Sequence, residues 1–329
     1  MKEDFNLALK NNNDTFYKGY KFDSHTHLGS IKDTSEMVSY AKKYNVQKML
    51  GIVRSEQEKK ELEKKFPNYF IFAKFLSFKE FFENKQKEGL KTIDDAYAGD
   101  FPVVKAWFAP RWIDRIPTNW DLSSNLTTYT LDSPSLDPFF ERVEDLNLTL
   151  LLHISDPDIM YLSRYQPPSK YGTKKEHLQS FENVLKKHPK LKVICAHMAG
   201  QPEYPSNLMR LFEQFPHLYV DTGSAKWMVR EFSSRITETL TLFSRFSNRI
   251  LFGTDLVAGR SDREPIPEYY IHRYDSYQLL FETNIKECYF PIPDPDNDDK
   301  TTITGLNLTK EQLEKLYWKN GQELFNFSI

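Results

Sequence analysis

Short apolar runs alternate with amphipathic stretches along almost the whole chain. The first, Phe22-Asp23-Ser24-His25-Thr26-His27, follows a polar stretch and reads as a strand on which His25 and His27 share one face. Further apolar runs of strand length lie at 47–53, 69–76, 102–108, 148–154, 191–197, 217–221 and 249–255. The segments between them carry helical signals. Met37, Val38, Tyr40 and Ala41 fall on one side of a helix that Thr34 or Ser35 can cap. A Glu- and Lys-rich stretch at 55–65 reads as a solvated helix, and 78–98 holds one or two more. Helices follow at 139–146, at 174–187 before His188-Pro189, and at 206–215 before Pro216. One or two fill 225–246, and another spans 268–283. Thr309 and Gln312 have the spacing of a capping box, opening a last helix that should pack Leu313, Leu316 and Tyr317 on the body of the fold.

Eight apolar strands separated by helices, without an internal repeat or a flexible linker, predict an α/β fold: a (β/α)8 TIM barrel with a C-terminal helix packed on it. Residues 21–329 form this single barrel domain, and the polar residues 1–20 an N-terminal extension outside the core. The long stretch 109–134 reads as a lid or substrate wall, and 256–267 as a second long loop. Residues 291–301, with three prolines and several aspartates, read as an irregular surface excursion.

Composition narrows the partners. With 44 basic and 46 acidic residues the net charge is -2, and no basic run interleaves with aromatics, so nucleic acid is not expected. The two cysteines, Cys195 and Cys288, cannot build a disulfide framework, which fits a reducing compartment. The charged start Met1-Lys2-Glu3-Asp4 lacks an apolar signal core, and no run approaches the ~18 apolar residues of a membrane span. These features predict a cytoplasmic protein without a membrane partner, and make sequons such as Asn125-Leu126-Thr127 chance matches.

Barrel active sites are built at the C-terminal ends of the strands. There the sequence places His25 and His27 on strand one, His153 on strand five, His197 on strand six and Asp255 on strand eight. Two imidazoles side by side, joined by further imidazole and carboxylate groups, suit a borderline divalent cation such as zinc. Of the other histidines, His177 falls in a helix, His188 precedes a proline, His217 starts a strand and His272 lies in the late helix. These four are read as structural or surface groups.

Four segments resemble the successive signatures of the amidohydrolase superfamily: Asp23-Ser-His25-Thr-His27, Leu152-His153-Ile-Ser-Asp156-Pro157, Ile194-Cys-Ala-His197-Met-Ala-Gly200 and Leu251-Phe-Gly-Thr-Asp255. Together with the closing Asn320-Gly-Gln-Glu-Leu324-Phe325, the resemblance runs from about residue 21 to 326 and is nearest to the amidohydrolase-related branch of metal-dependent hydrolases and decarboxylases. It implies His25, His27, His153 and Asp255 as ligands of one divalent ion, zinc or else manganese. His197 is then a ligand of a second ion or an acid/base group, and a homodimer is common among relatives. Asp255 and His197 would handle protons while a metal-activated water attacks an amide, ester or lactone carbon of a small molecule. The alternative is a metal-dependent decarboxylase acting on an unsaturated or aromatic carboxylic acid, and a third reading is an inert binding barrel.

Each residue also has a plainer role. His153 and His197 could be satisfied core histidines, Asp255 a turn cap, and Asp23 a group that orients a ligand or pairs within the barrel. Lys105, inside an apolar strand, is open between a carboxylated bridge to a second metal, a substrate contact and a structural ion pair. Cys195 reads as a small core residue. Trp107, Arg111, Trp112, Arg260 and Arg263 are candidate pocket residues for a carboxylate or an aromatic ring.

Overall fold

The structure is a computed structural model and describes residues 2–115, 129–260 and 264–328. Arg263, the Asn125 sequon and the middle of the predicted loop 109–134 lie outside the described residues. Nine strands make one parallel sheet: β1 (Lys21–His27), β2 (Val46–Val53), β3 (Phe70–Phe75), β4 (Val103–Trp107), β5 (Thr149–His153), β6 (Lys192–Cys195), β7 (Leu218–Asp221), β8 (Ile250–Leu251) and β9 (Leu256–Val257). The order is β8-β7-β6-β5-β4-β3-β2-β1-β9. Because β8 and β9 are consecutive pieces of one segment, that order closes the sheet on itself. The seam is held by the Ser24 amide on the Phe252 carbonyl (2.8 Å) and the Asp255 amide on the His25 carbonyl (2.8 Å). The fold is thus the expected α/β barrel.

Two expected strands end early, at the same end of the barrel. Strand six stops at Cys195, and His197, Met198, Ala199 and Gly200 all take left-handed backbone conformations. Gly200 is required there. Its φ is +66°, and an added Cβ would lie 2.2 Å from the Ser155 carbonyl oxygen. Strand eight breaks after Leu251, and Asp255 sits at φ +58° before pairing resumes in β9.

The barrel interior is plugged by Phe22, Leu50, Ile52, Ala73, Val103, Leu151, Ile194 and Leu251, with Trp318 of the C-terminal segment among them. Two residues further along, on the same face, Val103 gives way to Lys105 and Leu151 to His153. The site is therefore seated on a dry apolar floor. A second, larger core lies between the strands and the surrounding helices.

The capping boxes at Ser55/Glu58, Thr173/Glu176 and Thr309/Gln312 set three helix starts by reciprocal side-chain bonds. The helix Ile31–Lys43 is capped by Ser30; Thr34 lies inside it, buried. Leu313, Leu316 and Tyr317 are buried as expected.

The expectation for the N-terminal residues is corrected. Residues 1–20 belong partly to the core: the helix Lys2–Asn12 buries Phe5, Phe16 joins the same cluster, and the Tyr17 amide donates to Glu282 Oε2 at 2.6 Å. Residues 291–301 are irregular and mostly at the surface, as expected, but they are anchored by Asp294, which is fully buried. It accepts from Arg230 Nη1 (2.9 and 3.0 Å) and Thr301 Oγ1 (2.6 Å). Asp296 beside it accepts from Arg164 Nε (2.7 Å) and Lys226 Nζ (2.9 Å). A chain rich in proline and aspartate can be anchored inside when buried cations neutralise the aspartates.

Candidate active site

The two early strand ends and the end of β1 meet at one mouth of the barrel. His25, His197 and Asp255 each offer one ligand atom, and these three atoms lie within 4.8 Å of one another. It is the one such trio among the described residues. His25 Nε2 is 3.4 Å and His27 Nε2 3.2 Å from Asp255 Oδ1. The left-handed corners matter here: they turn His197 and Asp255 inward where a straight strand would alternate past the centre.

A carboxylate that the sequence reading did not single out ties the trio together. Asp221, at the end of β7 and fully buried, accepts from the His197 amide (2.9 Å) and the Gly223 amide (2.8 Å) on Oδ1. Its Oδ2 lies 2.9 Å from His25 Nδ1. Gly223 must lack a side chain, since a Cβ would come within 2.7 Å of His197 Nδ1. The available signal was an aspartate closing an apolar strand at the same end as His153 and His197.

His153 stands at the edge. Its Nε2 is 2.7 Å from Asp156 Oδ1, and the other oxygen, Asp156 Oδ2, accepts from the Tyr165 hydroxyl. Its ring meets that of His197 edge-on at 4.4 Å, and Trp227 packs against both. Lys105 is 2 % exposed, with Nζ 3.3 Å from His25 Nε2. Asp23 is occupied by the Thr254 amide and hydroxyl, the His25 amide and Tyr274, and so supports β1 from below.

Burial dominates the electrostatics. It pushes the His197 imidazole down to about 3, with His153 adding to the effect. It lowers Lys105, against the pull of Asp221 and Asp255. Burial would raise the Asp255 carboxyl, but His25, His27 and His197 outweigh it and hold the group well below the usual carboxylate range. Burial raises the Cys195 thiol, which keeps it an inert core residue.

Beside Asp255 opens a cavity of about 470 Å3 lined by Arg164, Ser224, Lys226, Arg260, Tyr269 and Arg273. Of the candidate pocket residues that are described, only Arg260 borders it. Trp107 ends β4 with Arg115 stacked on its ring at 4.4 Å. Arg111 pairs with Asp114 on an exposed turn, and Trp112 packs on Phe82 and Phe108. Arg164 follows the short helix Asp158–Ser163, and Lys226 and Arg273 lie in helices whose sequence gave no sign of facing a cavity.

The donor set of two imidazoles and one ionised carboxylate fits a divalent ion, and the buried His197 Nδ1 has no hydrogen-bond partner. No helix among the described residues is long and apolar enough to cross a membrane. No curated protein matches the chain. Among solved structures, 5-carboxyvanillate decarboxylase LigW from Sphingomonas paucimobilis aligns over 94% of this chain and 99% of its own, at 10% identity and a TM-score of 0.51. A protein from Agrobacterium tumefaciens aligns over 96% of this chain and 98% of its own, at 10% identity and a TM-score of 0.51. At such identity the likeness concerns the barrel. The family follows from the sequence itself: the amidohydrolase profile matches residues 117–327, well over half of the chain and including His153, His197 and Asp255, and the chain belongs to the amidohydrolase family.

Proposed function

We propose that this chain is a metal-dependent hydrolase of small molecules, acting at an amide, ester or lactone carbon. The observation that carries the reading is the convergence of His25, His197 and Asp255 on one point at the mouth of the barrel, with His27 against Asp255. His25, His197 and Asp255 would hold one divalent ion, for which we propose zinc. When bound, such an ion acts as a Lewis acid and makes hydroxide available near neutral pH.

The chain's own groups do the rest. Asp255, kept ionised and with its side chain 31% exposed, is the base that takes up a proton from a water in the cavity. His27 Nε2, 3.2 Å from Asp255 Oδ1, donates to that carboxylate and orients it, and Asp255 returns the proton to the leaving group. Trp227 and His153 wall the buried side of the site and keep bulk water from His197. Lys105 lies close enough to His25 Nε2 to donate to it when no ion is held there.

Decarboxylation of an unsaturated or aromatic acid is the second reading. It is favoured by the cationic lining of the cavity, Arg164, Lys226, Arg260 and Arg273, although Arg164 and Lys226 are paired with Asp296 and Arg273 with Glu264, and by the name of LigW. The test is elemental analysis of purified protein followed by assay of the zinc-loaded chain on ester, lactone, amide and aromatic acid panels. About one ion per chain with hydrolytic turnover is the expected result. Carbon dioxide release without hydrolysis selects the second reading. An absence of bound metal after reconstitution with zinc or manganese overturns both.

A further inference from the structure

We infer that Asp221 is the positioning residue of this site: one carboxylate that fixes which nitrogen His25 turns to the centre and clamps the corner carrying His197. The inference rests on the metal-dependent reading above, but its first test does not.

A buried carboxylate can only accept hydrogen bonds. Asp221 Oδ2 lies 2.9 Å from His25 Nδ1, so Nδ1 carries the proton and donates it. The lone pair is then on Nε2, the atom that faces Lys105 at 3.3 Å and Asp255 at 3.4 Å. A charged Lys105 favours that tautomer and the ionised Asp255 favours the opposite one, so these two neighbours offset each other and the Asp221 bond decides. Asp221 Oδ1 takes the amides of His197 and Gly223. The His197 amide belongs to a run of four left-handed residues, three of which bear side chains. Such backbone persists only where neighbours over-determine it. Three N–H donors thus converge on Asp221, which is 0% exposed, and two of them belong to the residues that would share an ion.

Such outer partners of ligating histidines orient the ring, and their loss costs ~10–100-fold in metal affinity. Asp221→Asn separates the two jobs. Its amide oxygen can still accept from His197 and Gly223, while its NH2 group would face His25 Nδ1 and force that nitrogen to accept. The proton then moves to Nε2. Asp221→Ala removes both contacts.

The experiment is a long-range proton–nitrogen correlation spectrum of histidine-labelled, metal-free protein, with His25 assigned by its loss in His25→Gln. Zinc affinity is measured in parallel by competition with a chromophoric chelator. Wild type should show His25 protonated on Nδ1, and Asp221→Asn should show it on Nε2, with zinc bound about 10–100-fold more weakly. Asp221→Ala should show a mixture of both tautomers. Wild type protonated on Nε2 overturns the inference, whether or not either variant folds. So does Asp221→Asn with an unchanged tautomer or an affinity within twofold of wild type. If wild type binds no zinc, the metal reading fails on that result, while the tautomer spectra still decide the role of Asp221.

Discussion

Removing Asp294 should destabilise the whole barrel rather than loosen one loop. Asp294 is fully buried and holds Arg230, itself 8% exposed, at 2.9 and 3.0 Å. Lys226 stands 3.6 Å away. Asp294→Ala leaves the Arg230 guanidinium with Glu231 as its remaining partner, and its Nη2 already has none. Breaking a buried pair by deleting one member costs about 3–5 kcal/mol, because a desolvated charge is stranded. At an unfolding entropy of ~2 cal/mol/K per residue, a chain of 329 residues has about 0.7 kcal/mol/K. The expected fall in Tm is therefore about 4–7 °C. Calorimetry and urea unfolding measure it, with Arg230→Met/Asp294→Leu as the partner experiment. That double variant carries no stranded charge and should recover most of the loss. A single variant within 1 kcal/mol of wild type, or a double variant worse than Asp294→Ala, would refute the reasoning.

Gly200→Ala should cost about 3 kcal/mol or more in urea unfolding, since the left-handed penalty adds to a clash with the Ser155 carbonyl; a loss under 1 kcal/mol contradicts this. Asp275 supplies a pH test away from the site. Burial raises its carboxyl from 3.8 to about 6, against the hydrogen bond from Tyr44. The folded state holds this proton more tightly than the unfolded one. Its stabilising contribution is therefore present below pH ~4 and lost as pH rises to about 6. Asp275→Asn should gain about 1–3 kcal/mol relative to wild type at pH 8 compared with pH 3.5, and an equal difference at both pH values would count against it.

What the sequence disclosed depended on whether the cause was local. Ser55 with Glu58 and Thr173 with Glu176 mark helix starts by their spacing alone, and the apolar runs mark the strands. His25, His197 and Asp255 could be found because each follows such a run at the same end of the barrel. The left-handed corners could not, since only Gly200 hints at one and Asp255 carries no glycine at all. Asp221 was passed over because an aspartate at a strand end is common; what distinguishes it is contact with His25 and His197, far away in the chain. The buried place of Asp294 was hidden for the same reason, its neutralising Arg230 lying 64 residues earlier.

The two corners also restrict what could ever replace their residues. A side chain on a regular strand can be exchanged for almost any other of similar size. One held at φ +57° or +58°, as His197 and Asp255 are, draws on a much smaller alphabet. Histidine, asparagine and aspartate tolerate that conformation, whereas valine, isoleucine and threonine do not. The backbone thereby screens out β-branched side chains before any chemistry is selected, while unbranched ones such as Met198 and Ala199 pass. At these two positions the chain can change its chemistry only within that smaller alphabet, because a branched side chain would first have to rebuild the corner.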